Sequence, residues 1–213
     1  MEFLAIQILT GLSGAASLFL VAAGLTLVFG VTRVVNFAHG SLYMLGAYIG
    51  WSILARLPRD PAWFVLGVLG ASAALGVVGL LAEALLLRRI YRAPELFQLL
   101  ATFGAALMVQ DIAPWIWGPN DLTLPRPAWM RGFVAIGGSR FPVYDLTLIA
   151  IGPAVLGLLW LLLRRTRFGV EIRAATENRD MAAALGIDQK RLFAAVFALG
   201  AALAGIGGAP SAK

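Results

Sequence analysis

The sequence predicts an all-α polytopic membrane protein with about six transmembrane helices, and two observations carry that prediction. Hydrophobic residues make up 60% of the 213 positions and charged residues 13%, with a mean hydropathy of +0.85, a balance that a water-facing surface does not have. The apolar residues also fall in runs long enough to cross a bilayer, separated by polar links rich in arginine. The net charge of +6 raises nucleic acid as a partner. The basic residues sit at the ends of apolar runs and form no stripe, so topology accounts for them and nucleic acid does not. With no cysteine, disulfide and thiolate chemistry are excluded. Met1-Glu2-Phe3 lacks the positive region of a signal peptide, so the first apolar run is expected to remain as a span. Residues 1–213 read as a single transmembrane domain.

The first span is expected from Leu4 to Val31, longer than the ~20 residues a bilayer requires and therefore tilted or partly outside it. Gly11, Gly14, Ala15 and Ser17 offer it a face for close packing. Residues 32–40, from Thr32 to Gly40, are too few and too apolar for an aqueous loop. They read as a tight or partly re-entrant connection into a second span over Gly40–Leu57. Arg56, Arg59, Asp60 and Pro61 make a polar link to a third span over Trp63–Leu87, which Arg88, Arg89 and Arg92 close. A fourth span over Phe97–Trp117 leads into a polar excursion ending at Tyr144. Within it, Phe133–Ile136 and Phe141–Tyr144 flank Gly137-Gly138-Ser139 as a β-hairpin outside the membrane. The fifth span, Leu146–Leu163, contains Pro153 and is expected to kink. The sixth runs from about Leu192 to Ala209. Its Gly200, Gly205, Gly207 and Gly208 read as a packing surface and not as a phosphate loop, since no strand precedes them and no Gly-Lys-Ser/Thr follows.

Lys and Arg counts on alternating sides give the orientation. With the amino terminus outside, the inner connections hold Arg33, then Arg88, Arg89 and Arg92, then seven cations between Arg164 and Arg191. The outer ones hold Arg56, Arg59, Arg126, Arg131 and Arg140. The tally favours the amino terminus outside. Trp51, Trp63, Trp115, Trp117 and Trp129 then lie at the outer interface, where aromatic anchors belong.

The longest inner segment, Arg164–Arg191, contains a short helix candidate. Thr176 or Asn178 can cap it, Asp180 sits in its first turn, residues 182–185 carry it, and Gly186 can end it in a left-handed conformation. A small-residue helix held between two spans suits docking in a groove of a cytosolic partner. A solvated linker that only anchors topology is the plainer alternative. At the helix break of the first connection, Asn36, His39 and Gly40 lie at membrane depth, where a polar pathway can begin, or where Asn36 and His39 merely cap the flanking helices. His39 beside Ser41 does not make a hydrolase, because no acid completes a converging constellation. Glu83, a turn before Arg88 and Arg89, reads as an interfacial acid paired with them more readily than as a proton carrier. Gln110 and Asp111 read as solvated at the outer end of the fourth span.

Two long motifs carry a resemblance. The stretch Gly24–Tyr48 (GLTLVFGVTRVVNFAHGSLYMLGAY) resembles the amino-terminal signature of the branched-chain amino acid ABC transporter permeases of the LivH type. The segment Phe168–Ile187 resembles the cytoplasmic loop of the same family, the counterpart of the EAA loop of ABC importers. The resemblance implies a loop that docks on an ATPase subunit, carried here by Glu177, Asn178, Arg179, Ala182, Ala183 and Gly186. It implies a second homologous permease subunit, two cytosolic ATPase subunits that bind the ATP, an extracytoplasmic substrate-binding protein and no cofactor in this chain. The setting it implies is the bacterial inner membrane, and the cargo leucine, isoleucine and valine. Urea and short-chain amide importers have a similar permease fold, and specificity in such systems resides largely in the binding protein. Family members continue through further membrane helices, so the chain is expected to be incomplete at its carboxyl end. A self-sufficient secondary transporter is a second class. Such proteins carry coupling-ion carboxylates near the midplane, whereas the middles of these spans are almost free of charge.

Overall fold

In the computed structural model the described residues are 2–120, 122–124, 127–130, 132–136 and 139–211. Arg126 and Arg131 of the outer tally, the hairpin turn Gly137-Gly138 and the last two residues lie outside them. The element order is α1 (Glu2–Thr32), α2 (His39–Leu54), α3 (Pro61–Ala82), a π-helical turn (Glu83–Leu87), α4 (Arg88–Ile90) and α5 (Glu95–Trp117). A 3-10 turn (Ala128–Met130), β1 (Phe133–Ile136) and β2 (Ser139–Pro142) follow, then α6 (Val143–Arg165), α7 (Arg167–Glu177), α8 (Arg179–Ala184), α9 (Gln189–Gly208) and a closing 3-10 turn (Ala209–Ser211). Among the described residues, five helices are long and apolar enough to cross a membrane: Ile6–Thr32, Pro61–Ile90, Glu95–Trp117, Val143–Arg165 and Gln189–Gly208.

The sixth crossing is composite. α2 has 16 residues, short of the ~20 a bilayer needs. The chain reaches its start by turning back from Thr32 and running without helix through residues 33–38. The ring of His39 lies 3.1 Å from the carbonyl of Val21, in the middle of α1, so α2 begins at half depth. The expected re-entrant connection is therefore present. Pro61 opens α3 at its first turn, where a missing N–H costs nothing.

α9 is the hub, with α1, α2 and α3 around it. Helices in lipid gain from close approach of their backbones, because lipid tails are as apolar as leucine and provide no hydrophobic drive. The glycines expected to pack do so. A Cβ at Gly200 would stand 2.6 Å from Val28 Cγ2 and 2.9 Å from Gly24 O, and one at Gly205 2.9 Å from Ser72 Cα. Gly208 lies against the carbonyl of Tyr43. α1 differs from expectation. Its packing stripe is Ser13, Ala16, Leu20, Gly24, Val28 and Val31, all buried, at the 3.6-residue period of a helix face. Gly11 and Gly14 have open space around them.

The hairpin pairs Phe133 with Pro142 and Ile136 with Ser139. β2 therefore begins two residues earlier than expected, and α6 starts at Val143 with Pro153 inside it. Ser13 Oγ donates to Asp145 Oδ1 at 2.8 Å, which sets the first half of α1 beside the hairpin end of α6. Trp51 and Trp117 also sit at this end, their indole N–H groups donating to Thr123 O at 3.3 Å and Ser52 Oγ at 2.6 Å. The segment 164–191 lies at the opposite end, against the last turn of α1.

Candidate functional site

Two places carry the residues singled out from the sequence. The first is the connection into α2. Arg33 ends α1 with φ +54, a left-handed residue that turns the chain back. Thr32 Oγ1 then accepts the N–H of Val34 at 3.3 Å, Asn36 Oδ1 accepts that of Ala38 at 3.1 Å, and Asn36 O accepts that of His39 at 3.2 Å. Asn36 thus acts as a turn residue before α2. A carbonyl only accepts, so His39 Nε2 carries the proton it gives to Val21, and among the described residues Nδ1 has no partner, nor has Asn36 Nδ2.

Side chains alternate along this extended stretch. Val34, Asn36 and His39 are buried inside the chain, while Arg33, Val35, Phe37 and Gly40 are exposed. Of the three pathway candidates, Gly40 alone faces outward. The N–H groups of Val35, Asn36 and Phe37 have no partner among the described residues. Irregular backbone at membrane depth is tolerated only where protein covers it or where it lines a wet cavity. Next to it lies a cavity of ≈ 500 Å³ lined by Phe29, Arg33, Val35, Glu95, Gln98 and Thr176, among others. It opens between the last turn of α1, the first turn of α5 and the end of α7.

The second place is the segment 164–191, which holds two helices where the sequence suggested one. α7 was missed. Thr166 caps it, accepting the N–H of Gly169 at 3.1 Å, and Ile172 and Ala175 are buried under it. The signal was available: Phe168, Ile172 and Ala175 recur at i, i+4 and i+7 behind an N-cap threonine. Thr176 lies inside α7 and bonds back to Ile172 O at 2.8 Å, so Asn178 caps α8, accepting Met181 N–H at 3.0 Å. Gly186 has φ +88. Its N–H reaches Ala183 O at 3.0 Å, and that of Ile187 reaches Ala182 O at 3.1 Å. This pair of bonds is the Schellman ending expected of a glycine just past a helix.

The six residues of the coupling candidate divide by direction. Glu177, Asn178, Ala183 and Gly186 are exposed, and Met181 and Leu185 beside them are 58% and 76% exposed. Ala182 is buried in the core around α9. Arg179 also turns inward. Its Nη2 donates to Thr32 O at 2.6 Å and Val31 O at 3.1 Å, and its guanidinium lies 4.6 Å from the centre of the Phe193 ring. Two carbonyls that α1 leaves free at its end are thereby satisfied, and α8 is tied to the bundle. Burial holds the Arg179 guanidinium below its ordinary pKa. The resemblance placed this arginine in the docking loop, and nothing in the sequence marked it as turned inward.

Residues 7–212 match the family described as branched-chain amino acid transport system / permease component. The chain is 30% identical over 212 residues to the high-affinity branched-chain amino acid transport system permease protein LivH of Salmonella typhimurium, covering 95% of this chain and 68% of that protein. It is 28% identical over 210 residues to LivH of Escherichia coli K12, covering 95% and 68%. Against BraD of Pseudomonas aeruginosa it is 28% identical over 210 residues, covering 94% and 68%. No solved structure matches.

Proposed function

Because this chain belongs to the branched-chain amino acid transport permease family, we propose that it is the membrane-spanning subunit of an ABC importer in the bacterial inner membrane. In this reading it passes leucine, isoleucine and valine inward along a path shared with a second homologous permease. An extracytoplasmic binding protein delivers the cargo, and two cytosolic subunits hydrolyse the ATP. The observation that carries the reading is the family match across residues 7–212.

Three features support it. Glu83, the buried acid among the described residues of the spans, sits toward the end of a span and is held by Arg88 at 2.8 Å, so it is not a free midplane carboxylate of the kind a secondary transporter uses. The exposed apolar face of α8 offers a rigid, capped element to a soluble partner. The outward row of Arg33, Val35, Phe37 and Gly40, in which the N–H groups of Val35 and Phe37 have no partner among the described residues, is where the path would run, and the ≈ 500 Å³ cavity beside it would be its inner mouth. The test is uptake of labelled leucine by a strain lacking its own branched-chain importers, expressing this chain with the genes that neighbour it. Leucine uptake abolished by excess isoleucine or valine and untouched by urea is expected. Urea uptake without leucine uptake would move the chain to the urea and amide class.

The same reading puts the amino terminus and the hairpin outside and residues 164–191 in the cytoplasm. The chain has no cysteine, and Ala135 and Thr176 are both exposed, so single cysteines at these two positions report sidedness cleanly. In intact cells an impermeant maleimide is expected to label Ala135→Cys and to spare Thr176→Cys. The reverse pattern overturns the orientation.

A further inference from the structure

A second cavity of ≈ 500 Å³ opens at the end of the third span, and its lining is strongly cationic: Arg88, Arg89, Arg92, Arg179 and Lys190, against one acid, Glu83. That acid is already committed. It is fully buried, accepts from Arg88 Nη2 at 2.8 Å and Nε at 3.4 Å, and has the Tyr91 hydroxyl 3.4 Å away. Burial, reinforced by this carboxylate, pushes the Tyr91 phenol well up, so the ring stays a neutral donor. Of the other acids near the lining, Asp188 pairs with Arg191 at 3.1 Å and Asp180 acts on Arg179. Arg89, Arg92 and Lys190 are exposed and form no ion pair among the described residues. Three free cations thus rim a concavity whose floor is closed by Phe193 and Tyr91, packed edge to face at 5.3 Å.

We propose that this cavity binds the phosphate of an anionic phospholipid headgroup. Guanidinium forks match the paired oxygens of a phosphodiester, and basic pockets between membrane helices on the cytoplasmic side suit such headgroups. Depth decides between lipid and a soluble acidic partner. Arg88 and Arg89 belong to the last turn of the apolar span Pro61–Ile90. Leu85 and Leu81, one and two turns before Arg89, are 61% and 50% exposed. A headgroup on the arginines lays its acyl chains along these leucines, whereas an acidic protein segment has no use for them. The π-helical turn over Glu83–Leu87 is what brings the buried acid and the exposed cations to one spot, since the added residue rotates the following turn.

The test is native mass spectrometry of the purified full chain, equilibrated with phosphatidylglycerol and phosphatidylcholine of identical acyl chains. Wild type is expected to retain phosphatidylglycerol preferentially. Arg89→Gln/Arg92→Gln/Lys190→Gln is expected to lose that preference by about tenfold or more. Arg56→Gln/Arg59→Gln/Arg140→Gln, which removes as many charges at the other end, should keep it. Equal loss in both triple variants, or an unchanged preference in the first, overturns the site. Glycerol phosphate displacing the lipid at equal concentration would make it a site for soluble phosphate. An unchanged lipid preference with loss of a co-purifying ATPase would make it a protein contact. A second readout uses the unaltered chain: acylation of Lys190 should be slower by severalfold in phosphatidylglycerol than in phosphatidylcholine, and equal rates refute the proposal.

Discussion

Gly24→Ala and Gly200→Ala are each expected to lower the stability of the chain by about 3 kcal/mol, while the same exchange at Gly104 raises it by roughly 0.5–1 kcal/mol. The substitution adds one methyl group in every case, so helix propensity cannot distinguish the three positions. Space does. A Cβ at Gly24 would lie 2.6 Å from the carbonyl oxygen of Gly200 and 3.0 Å from His39 Nε2, whereas one at Gly104 meets nothing within 4 Å. A backbone oxygen cannot swing aside like a side-chain tip, so α1 and α9 must separate. The separation also disturbs the 3.1 Å bond of His39 to Val21 O, on which the half-depth start of α2 depends. Midpoints of thermal unfolding in detergent check this, with the Gly104→Ala protein as internal standard. Equal midpoints for all three variants would mean that the α1–α9 crossing is not the close backbone contact described.

What the sequence disclosed and what it hid follow from the range of the interactions. Partition between water and hydrocarbon is a matter of composition over about twenty residues, so the long spans were legible to within a few positions. Asn178 and Gly186 were legible because a cap acts on the backbone within four residues of itself. Two of the failures involve direction. Gly11 and Gly14 have the right chemistry for packing and face open space, while Ser13 and Ala16, one and two positions from Gly14, are buried. Packing chemistry is local, but the face a helix presents is set by partners far along the chain: Gly152 to Ala16, and Gly200 to Gly24. Arg179 shows the same limit, since its acceptors are carbonyls at Val31 and Thr32, about 148 and 147 residues away. α7 failed for another cause. Its period was present but lay among arginines read as topology signals, and an amphipathic helix resting on the bundle needs both.

Ala183→Trp is expected to leave membrane abundance unchanged and to reduce recovery of the ATPase subunits by at least about tenfold, whereas Ala182→Trp should remove the protein itself. The two alanines are neighbours in sequence on a helix of six residues, yet one is exposed and the other is 2% exposed. An indole at position 182 must enter the core around α9, where overpacking costs several kcal/mol. At position 183 it projects outward, on the flank of α8 away from the exposed Met181 and Leu185. A small exposed residue lets a partner's surface approach the backbone, and a bulky one props that surface away. Asn178 and the left-handed Gly186 hold both ends of the helix, so the added ring cannot be accommodated by unwinding it at little cost. The deciding measurement is co-purification of the ATPase with wild type and each variant at matched membrane levels, together with ATP hydrolysis stimulated by loaded binding protein. Equal recovery and equal stimulation with Ala183→Trp would make α8 a solvated linker, and the coupling of hydrolysis to transport would have to run through another surface of the chain.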